Sequence, residues 1–301
     1  MTSAVNTQVT YIVITMNRRD AVVRCLTELR KQQLYSSQEV ILVDNGSSDG
    51  TPDVIEATFK EVKVIRAGEN LGVAGARNLG FRQARGEFLI FIDDDAEFSN
   101  EQATKRTLEI FQESPEVAVV GFAILTARTG LPERAAIARV DKKMPKQRTE
   151  AAYFCGCGFA MRRTMIPAQG PFWDELIYSC EELDASYGLM AADRKIIFAP
   201  DISVLHWKDP RGRPSGQFIY FNARNRLFIA LRWLPLPAVI TTLTIWWLYL
   251  LALAIGRGHL MFLIRGVVDG LKQVRQLWRR RTPLSIQTLS RLQELSGRVW
   301  F

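Results

Sequence analysis

The sequence predicts an α/β fold, a mostly parallel central sheet flanked by helices, followed by an apolar and basic helical C-terminal segment. Three observations carry this expectation. Short apolar runs alternate with helical patterns through the first third of the chain. One of those runs stops abruptly at three consecutive acids, Asp93, Asp94 and Asp95. A stretch with no charged residue, Trp233 to Gly256, lies between basic flanks.

The first run, Tyr11-Ile12-Val13-Ile14-Thr15, reads as a strand, and Asn17-Arg18-Arg19-Asp20 breaks it. Val22, Val23, Leu26 and Leu29 then fall on one helical face. Val40 to Val43 is the second strand, and Asp44 to Thr51 is the polar loop after it. A helix is expected from Asp53, a third strand over Val62 to Ile65, and a helix after the glycine-rich segment Asn70 to Asn78. Phe88 to Ile92 is the fourth strand. Ligands of a parallel sheet bind outside the carboxyl ends of its strands, where Asp44 and the acidic triplet both fall. Adjacent carboxylates repel one another and are costly to bury unless a cation neutralises them, and their oxygens suit a hard divalent ion such as Mg²⁺ or Mn²⁺.

Composition narrows the rest. At 301 residues and 48% hydrophobic content the chain has ample core for a large domain. From Arg257 onward nine Lys/Arg stand against two acids, so that segment carries +7 of the net +8 and the first 256 residues +1. The neighbouring stretch is greasy rather than polar, which directs the basic charge to a membrane and not to nucleic acid. The run Trp233 to Gly256 is long enough to cross a hydrocarbon core of about 30 Å. Basic residues on both sides disfavour a single crossing. A helix in the interface, or a hairpin returning through Leu260 to Ile264, keeps both flanks on one side. No signal peptide is recognisable, and Cys25, Cys155, Cys157 and Cys180 form neither a zinc pattern nor a disulfide framework, so the expected place is the cytoplasmic face of the cell membrane. A GxxxxGK[ST] loop and a GxGxxG after the first strand are both missing, which counts against a simple kinase or dehydrogenase.

Five ordered pieces resemble the family 2 glycosyltransferases of the GT-A fold: VDNGSSDGT at 43–51, NLGVAGARNLG at 70–80, GEFLIFIDDDA at 86–96, CEELD at 180–184 and APDISVLHW at 199–207. The resemblance implies a catalytic domain over 1–215, divided into a nucleotide-sugar half (1–98) and an acceptor half (99–215), with a membrane-associating region at 216–301. It implies that Asp44, Arg77, Asp93 and Asp94 contact the nucleotide sugar. Asp93, Asp95 and His206 would hold Mn²⁺ or Mg²⁺. The general base of the family maps to Glu182, where the family usually has Asp, and Glu181 and Asp184 stay open as alternatives. Cys155-Gly156-Cys157-Gly158 resembles the strand that floors the acceptor site, its cysteines acting as small apolar fillers.

The implied activity is inverting, metal-dependent transfer of one sugar from a nucleotide-diphosphate sugar to a hydroxyl of a glycan or lipid-linked acceptor, in cell-surface polysaccharide assembly. A Q-x-x-R-W motif, usual in processive members, is missing, which favours single addition. The competing readings are a polyprenyl-phosphate sugar transferase and a non-catalytic nucleotide-sugar-binding assembly subunit.

Overall fold

The structure, a computed structural model, describes residues 8–34, 38–208 and 216–297. In chain order the elements are β1 (Val9–Thr15), α1 (Arg19–Leu29), β2 (Glu39–Asp44), α2 (Thr51–Thr58), β3 (Val62–Arg66), α3 (Gly72–Gln83), β4 (Phe88–Asp93) and β5 (Ala96–Phe98). Then come α4 (Ala103–Glu113), β6 (Val117–Thr126), β7 (Thr149–Glu150), β8 (Gly158–Arg162), α5 (Glu181–Ala191) and β9 (Lys195–His206). The C-terminal part is helical: α6 (Gln217–Trp233), α7 (Leu236–Arg257), α8 (Leu260–Lys272), α9 (Val274–Arg279) and α10 (Ile286–Glu294).

The strands form one sheet in the order β3-β2-β1-β4-β8-β6-β9-β5, with β7 against β9. From β3 to β4 every pairing is parallel. Beyond β4 the sheet is mixed: β8 is antiparallel to both β4 and β6, while β6 and β9 run parallel. The parallel strands are buried on both faces, which is why they read as continuous apolar runs. Alternation sends Tyr11, Val13, Leu42, Ile90 and Ile92 to one core beneath α1, α2 and α4. Ile12, Ile41, Val43, Leu89 and Phe91 face the other core, against α3 and α5. Gly80 lets α3 lie directly on the sheet, since a Cβ there would stand 2.5 Å from the Ile12 methyl.

A third core ties the C-terminal helices to this layer. Leu227, Phe228 and Leu231 of α6, Leu277 of α9, Leu292 of α10 and the connecting Leu284 pack with Leu176, Tyr187 and Met190. Arg281 donates to the carbonyls of Leu231 and Leu234 at 2.7 and 2.6 Å. Region 216–297 is therefore built onto the α/β layer rather than hung from it.

The uncharged run is divided by the fold. Trp233 ends α6 and is buried, and Leu234 takes an extended conformation before Pro235, as residues before proline do. Helix α7 starts only at Leu236 and is the one helix, among the described residues, long and apolar enough to cross a membrane. Its Ala238, Val239, Leu250 and Ala254 pack inward. Ile240, Leu248 and Ile255 are 67%, 61% and 66% exposed. The return through Leu260 to Ile264 is the start of a longer helix, α8, about 20 Å long and too short to cross the bilayer. Gly266 sets α8 tightly on α6, with Tyr220 O 2.4 Å from where a Cβ would be. Leu260, Met261, Ile264, Val268 and Leu271 are left on its outer face.

Candidate active site

The parallel strands deliver their carboxyl ends to one edge of the sheet, and a cavity of about 880 Å³ opens there. Thr15 ends β1, Asp44 ends β2 and Asp93 ends β4. The antiparallel neighbour β8 brings Cys155, Gly156 and Cys157 beside β4, with the Asp93 amide donating to the Cys157 carbonyl at 3.1 Å. The acidic triplet then turns into β5, and β5 pairs with the end of β9 so that Ala96 lies opposite His206. That pairing carries a histidine over a hundred residues distant in sequence to the acids. The Trp207 amide locks it by donating to the Asp95 carbonyl at 2.8 Å.

Each acid of the triplet has its own environment. Asp94 is buried and accepts from Thr15 Oγ1 at 2.7 Å and from Arg18 Nη1 at 2.8 Å. Burial pushes its carboxyl up to about 6 against the opposing pull of Arg18 and Thr15. Asp95 is wholly buried, with Arg18 Nη1 at 3.5 Å and His206 Nε2 at 3.4 Å. The other imidazole nitrogen, Nδ1, lies 3.1 Å from Glu133 Oε1. A proton on Nδ1 donated to Glu133 leaves Nε2 as a lone-pair donor aimed at the acids, the arrangement of a metal-binding histidine. Burial works against protonating this ring, and Asp95, Asp93 and Glu133 together outweigh it, so its pKa is raised.

Asp93, Cys157 and His206 offer ligand atoms within 4.8 Å of one another. His206 Nε2 is buried without a hydrogen-bond partner. Carboxylate and imidazole donors facing a shared space fit a divalent cation. Of the expected metal ligands, Asp93, Asp95 and His206 thus come together. Cys157, expected as an apolar filler, faces the same space.

Arg77, expected to contact the nucleotide sugar, lines the cavity from a buried position. It is 4% exposed. Its Nη2 donates to Asp93 Oδ1 at 2.9 Å and to the Gly156 carbonyl at 2.8 Å. Its Nη1 reaches Glu182 Oε1 at 3.2 Å and Glu181 Oε1 at 3.5 Å. Protein acceptors therefore engage the guanidinium, which lies 5.7 Å from the ring centres of Phe159 and Phe172. Burial opposes its charge, but Asp93, Glu182 and Glu181 together raise its pKa.

The three acids at the start of α5 separate into different roles. Glu182 lines the cavity with its side chain 22% exposed. Glu181 is buried beside it, its Oε2 unpartnered, and burial first and the Glu182 charge second push its carboxyl up to about 8. Asp184 turns away from the cavity. It accepts from Arg232 Nη1 at 3.0 Å and Trp233 Nε1 at 2.7 Å and fastens α5 to α6. Asp184 thus anchors two helices and, unlike Glu181 and Glu182, does not line the cavity.

Asp44 is buried at the end of β2, next in sequence to Asn45 of the cavity lining. Its Oδ2 accepts from the Ser47 amide at 3.2 Å, and its Oδ1 has no hydrogen-bond partner. The next residue, Asn45, accepts from the Leu71 amide at 2.9 Å and donates to Asn70 Oδ1 at 3.1 Å. The two polar loops seen in the sequence thus form one rim. Sequence reasoning missed Arg18 and Glu133. Arg18 sat in view within the polar break after β1, whereas nothing local to Glu133 marks it.

Comparison with known proteins agrees with this geometry. Residues 10–168 match the model of Glycosyl transferase family 2. EpsH of Bacillus subtilis (strain 168), which carries a glycosyltransferase name, is 32% identical over 169 residues, 53% of this chain and 48% of that protein. The succinoglycan biosynthesis protein ExoO of Rhizobium meliloti is 35% identical over 88 residues, 29% of this chain and 25% of ExoO. The match thus spans about half or less of these relatives. A mannosyltransferase from Pyrobaculum calidifontis, solved with GDP-Man and Mn²⁺, superposes with a TM-score of 0.57 at 20% identity, covering 91% of this chain and 83% of its own. S. aureus TarS 1-349 with UDP-GlcNAc gives 0.62 at 17% identity, covering 94% and 83%. These neighbours share the GT-A fold, and with the family match over more than half its length the chain belongs to glycosyl transferase family 2.

Proposed function

We propose that the protein is an inverting, metal-dependent glycosyltransferase that moves one sugar from a nucleotide-diphosphate sugar to a hydroxyl of a glycan or lipid-linked acceptor. The observation that carries the reading is a single cavity at the strand ends lined by Asp93, Asp94, His206, Glu181 and Glu182, with Asp44 buried next in sequence to Asn45 of its lining. Structural neighbours solved with GDP-Man and Mn²⁺ or with UDP-GlcNAc support the donor class. The succinoglycan name of one relative supports a place in cell-surface polysaccharide assembly.

Asp95 and His206, with Asp93, would hold Mn²⁺ or Mg²⁺. The ion supplies Lewis-acid neutralisation of the charge that develops on the departing diphosphate. The unpartnered Asp44 Oδ1 accepts from the base or ribose of the donor. Glu182 removes the acceptor hydroxyl proton as that oxygen attacks the anomeric carbon from the face opposite the leaving group. Arg77 holds the Glu182 and Asp93 carboxylates in place. One displacement inverts the anomeric centre.

The exposed rows of α7 and α8 support attachment at the cytoplasmic face of the membrane, in the interface rather than through it. Inward packing of one face of each helix and the basic flanks both favour that placement. The test is the purified full-length chain in detergent with a panel of nucleotide sugars. Mn²⁺-dependent release of nucleoside diphosphate, with the product anomer read by NMR, is expected. Retention of configuration, or full activity in excess chelator, overturns the mechanism. A C-terminus labelled from outside the cell overturns the membrane placement.

A further inference from the structure

The cavity that holds the catalytic acids is closed on one side by the helices that carry the apolar surface. Gly216, Gln217, Phe218, Arg257 and His259 line it together with Glu181 and Glu182. Arg257 is the last residue of α7, and Gly258, with φ 68°, turns the chain into α8. The turn joining the two exposed apolar rows, one running through Leu248 and Ile255 and the other through Leu260 and Ile264, is therefore also a wall of the cavity.

Arg257 is exposed there and, among the described residues, makes no ion pair. It contrasts with Arg18 and Arg77, which acids of the site engage directly. A neutral acceptor has no use for such a cation. An anionic group approaching Asp93, Asp94 and Glu182 would be repelled without one.

We propose that the acceptor is a lipid whose hydrocarbon chain is joined through a phosphate or diphosphate to a hydroxyl-bearing sugar, and that Arg257, flanked by His259, is the subsite for that anionic link. This rests on the glycosyltransferase reading and deepens it. The hydrocarbon chain lies along the outer rows of α7 and α8, the headgroup meets Arg257 at the turn, and the hydroxyl to be glycosylated enters toward Glu182. The lipid carries its acceptor group from the bilayer into the cavity without the protein leaving the membrane surface.

The experiment uses full-length protein and four probes: phosphatidylcholine vesicles, the same vesicles with a prenyl diphosphate, vesicles with an equal charge of phosphatidylglycerol, and inorganic pyrophosphate. Wild-type protein is expected to bind the prenyl diphosphate vesicles about tenfold more tightly than phosphatidylcholine alone, on the scale of one well-placed charge near a membrane. Arg257→Gln should lose that gain and Arg257→Lys should keep most of it, both retaining phosphatidylcholine binding and Mn²⁺-dependent nucleoside diphosphate binding. An equal gain from phosphatidylglycerol would make Arg257 a general membrane contact. An equal response to pyrophosphate would detach the site from lipid, and loss of nucleoside diphosphate binding in Arg257→Gln would assign the residue to the donor. Each of these three results overturns the proposal. Failure of the wild-type chain to bind any nucleoside diphosphate overturns the glycosyltransferase reading instead.

Discussion

Gly156 offers a steric test of the catalytic base that leaves every charge in place. It lies on the cavity floor, and a Cβ added there would stand 1.8 Å from Glu182 Oε1 and 2.8 Å from Arg77 Nη1. Ordinary van der Waals contact begins at about 3.4 Å, so in Gly156→Ala the Glu182 carboxylate must retreat by roughly 1.6 Å. The atom that must move furthest is the far end of a flexible, partly exposed side chain, so the fold tolerates the change once the buried Arg77 guanidinium shifts slightly. The stability cost is the weakened contact to the buried Arg77 guanidinium, whose Nη1 must also give way at 2.8 Å, on the order of 1–3 kcal/mol. Catalysis is less forgiving, because a misplacement of about 1 Å can cost 10²-fold in rate.

The assay is transfer rate at saturating donor, beside donor affinity by calorimetry. Gly156→Ala should lose about 10²-fold in transfer with donor affinity within a few-fold of wild type. Glu182→Gln should lose about 10²-fold or more. If both act on one group, the double variant loses little beyond Glu182→Gln alone. Wild-type transfer by Gly156→Ala, or fully multiplicative losses in the double variant, would refute the assignment of Glu182.

Three further outcomes follow from the geometry. Asp95→Asn should abolish both the Mn²⁺-dependent rise in melting temperature and transfer; an unchanged Mn²⁺ shift would remove Asp95 from the metal site. Glu181 is raised from 4.5 unfolded to about 8 folded, so its favourable contribution is complete below about 4.5 and is lost as pH rises through about 8. Glu181→Gln should therefore gain stability relative to wild type across that window, and melting curves that stay parallel from pH 4.5 to 9 would contradict the buried neutral carboxyl. Replacing Ile240, Leu248 and Ile255 together by Gln should release the chain from vesicles, by roughly 10²-fold or more at about 1.5–3 kcal/mol per buried apolar side chain. Retention in a high-salt-resistant membrane fraction would show that α7 does not enter lipid.

Features that depend on strand ends were legible in the sequence, and features that depend on side-chain direction were not. Asp44 and Asp93 mark their own positions, because an apolar run that stops at an acid reports both the strand and its end. His206 was readable for the same reason. The direction of Arg77 was not, since an arginine within a helix looks the same whether it points to solvent or into the acids. Asp184 is an intermediate case. Two residues apart on a helix is about 200° of rotation, so Glu182 and Asp184 cannot both face the cavity, yet only the position of α6 decides which does. The uncharged run was read as one segment because hydropathy does not distinguish a buried Trp233 from an exposed Ile240. Pro235 was the local sign of the break. Truncation before α7 would not isolate the membrane surface, because Leu277, Leu284 and Leu292 return to the third core.

The charges of the site also explain why so many acids coexist within it. Asp93, Asp94 and Glu182 line one cavity with Asp95 buried behind them, while Glu181 relieves the crowding because burial and the Glu182 charge push its carboxyl up to about 8. Arg18 serves Asp94 and Asp95, and Arg77 serves Asp93 and Glu182. Two fixed cations against four carboxylates leave a surplus of two negative charges, the charge a divalent ion balances. That surplus gathers where Asp95 and Asp93 face His206 Nε2, away from Glu182. In the proposed reaction this separation would leave the base free of the metal to accept a proton. By holding Glu182 on one terminal nitrogen and Asp93 on the other, Arg77 would keep the proposed proton-accepting carboxylate and the proposed metal-facing carboxylate at separate positions along one rigid fork.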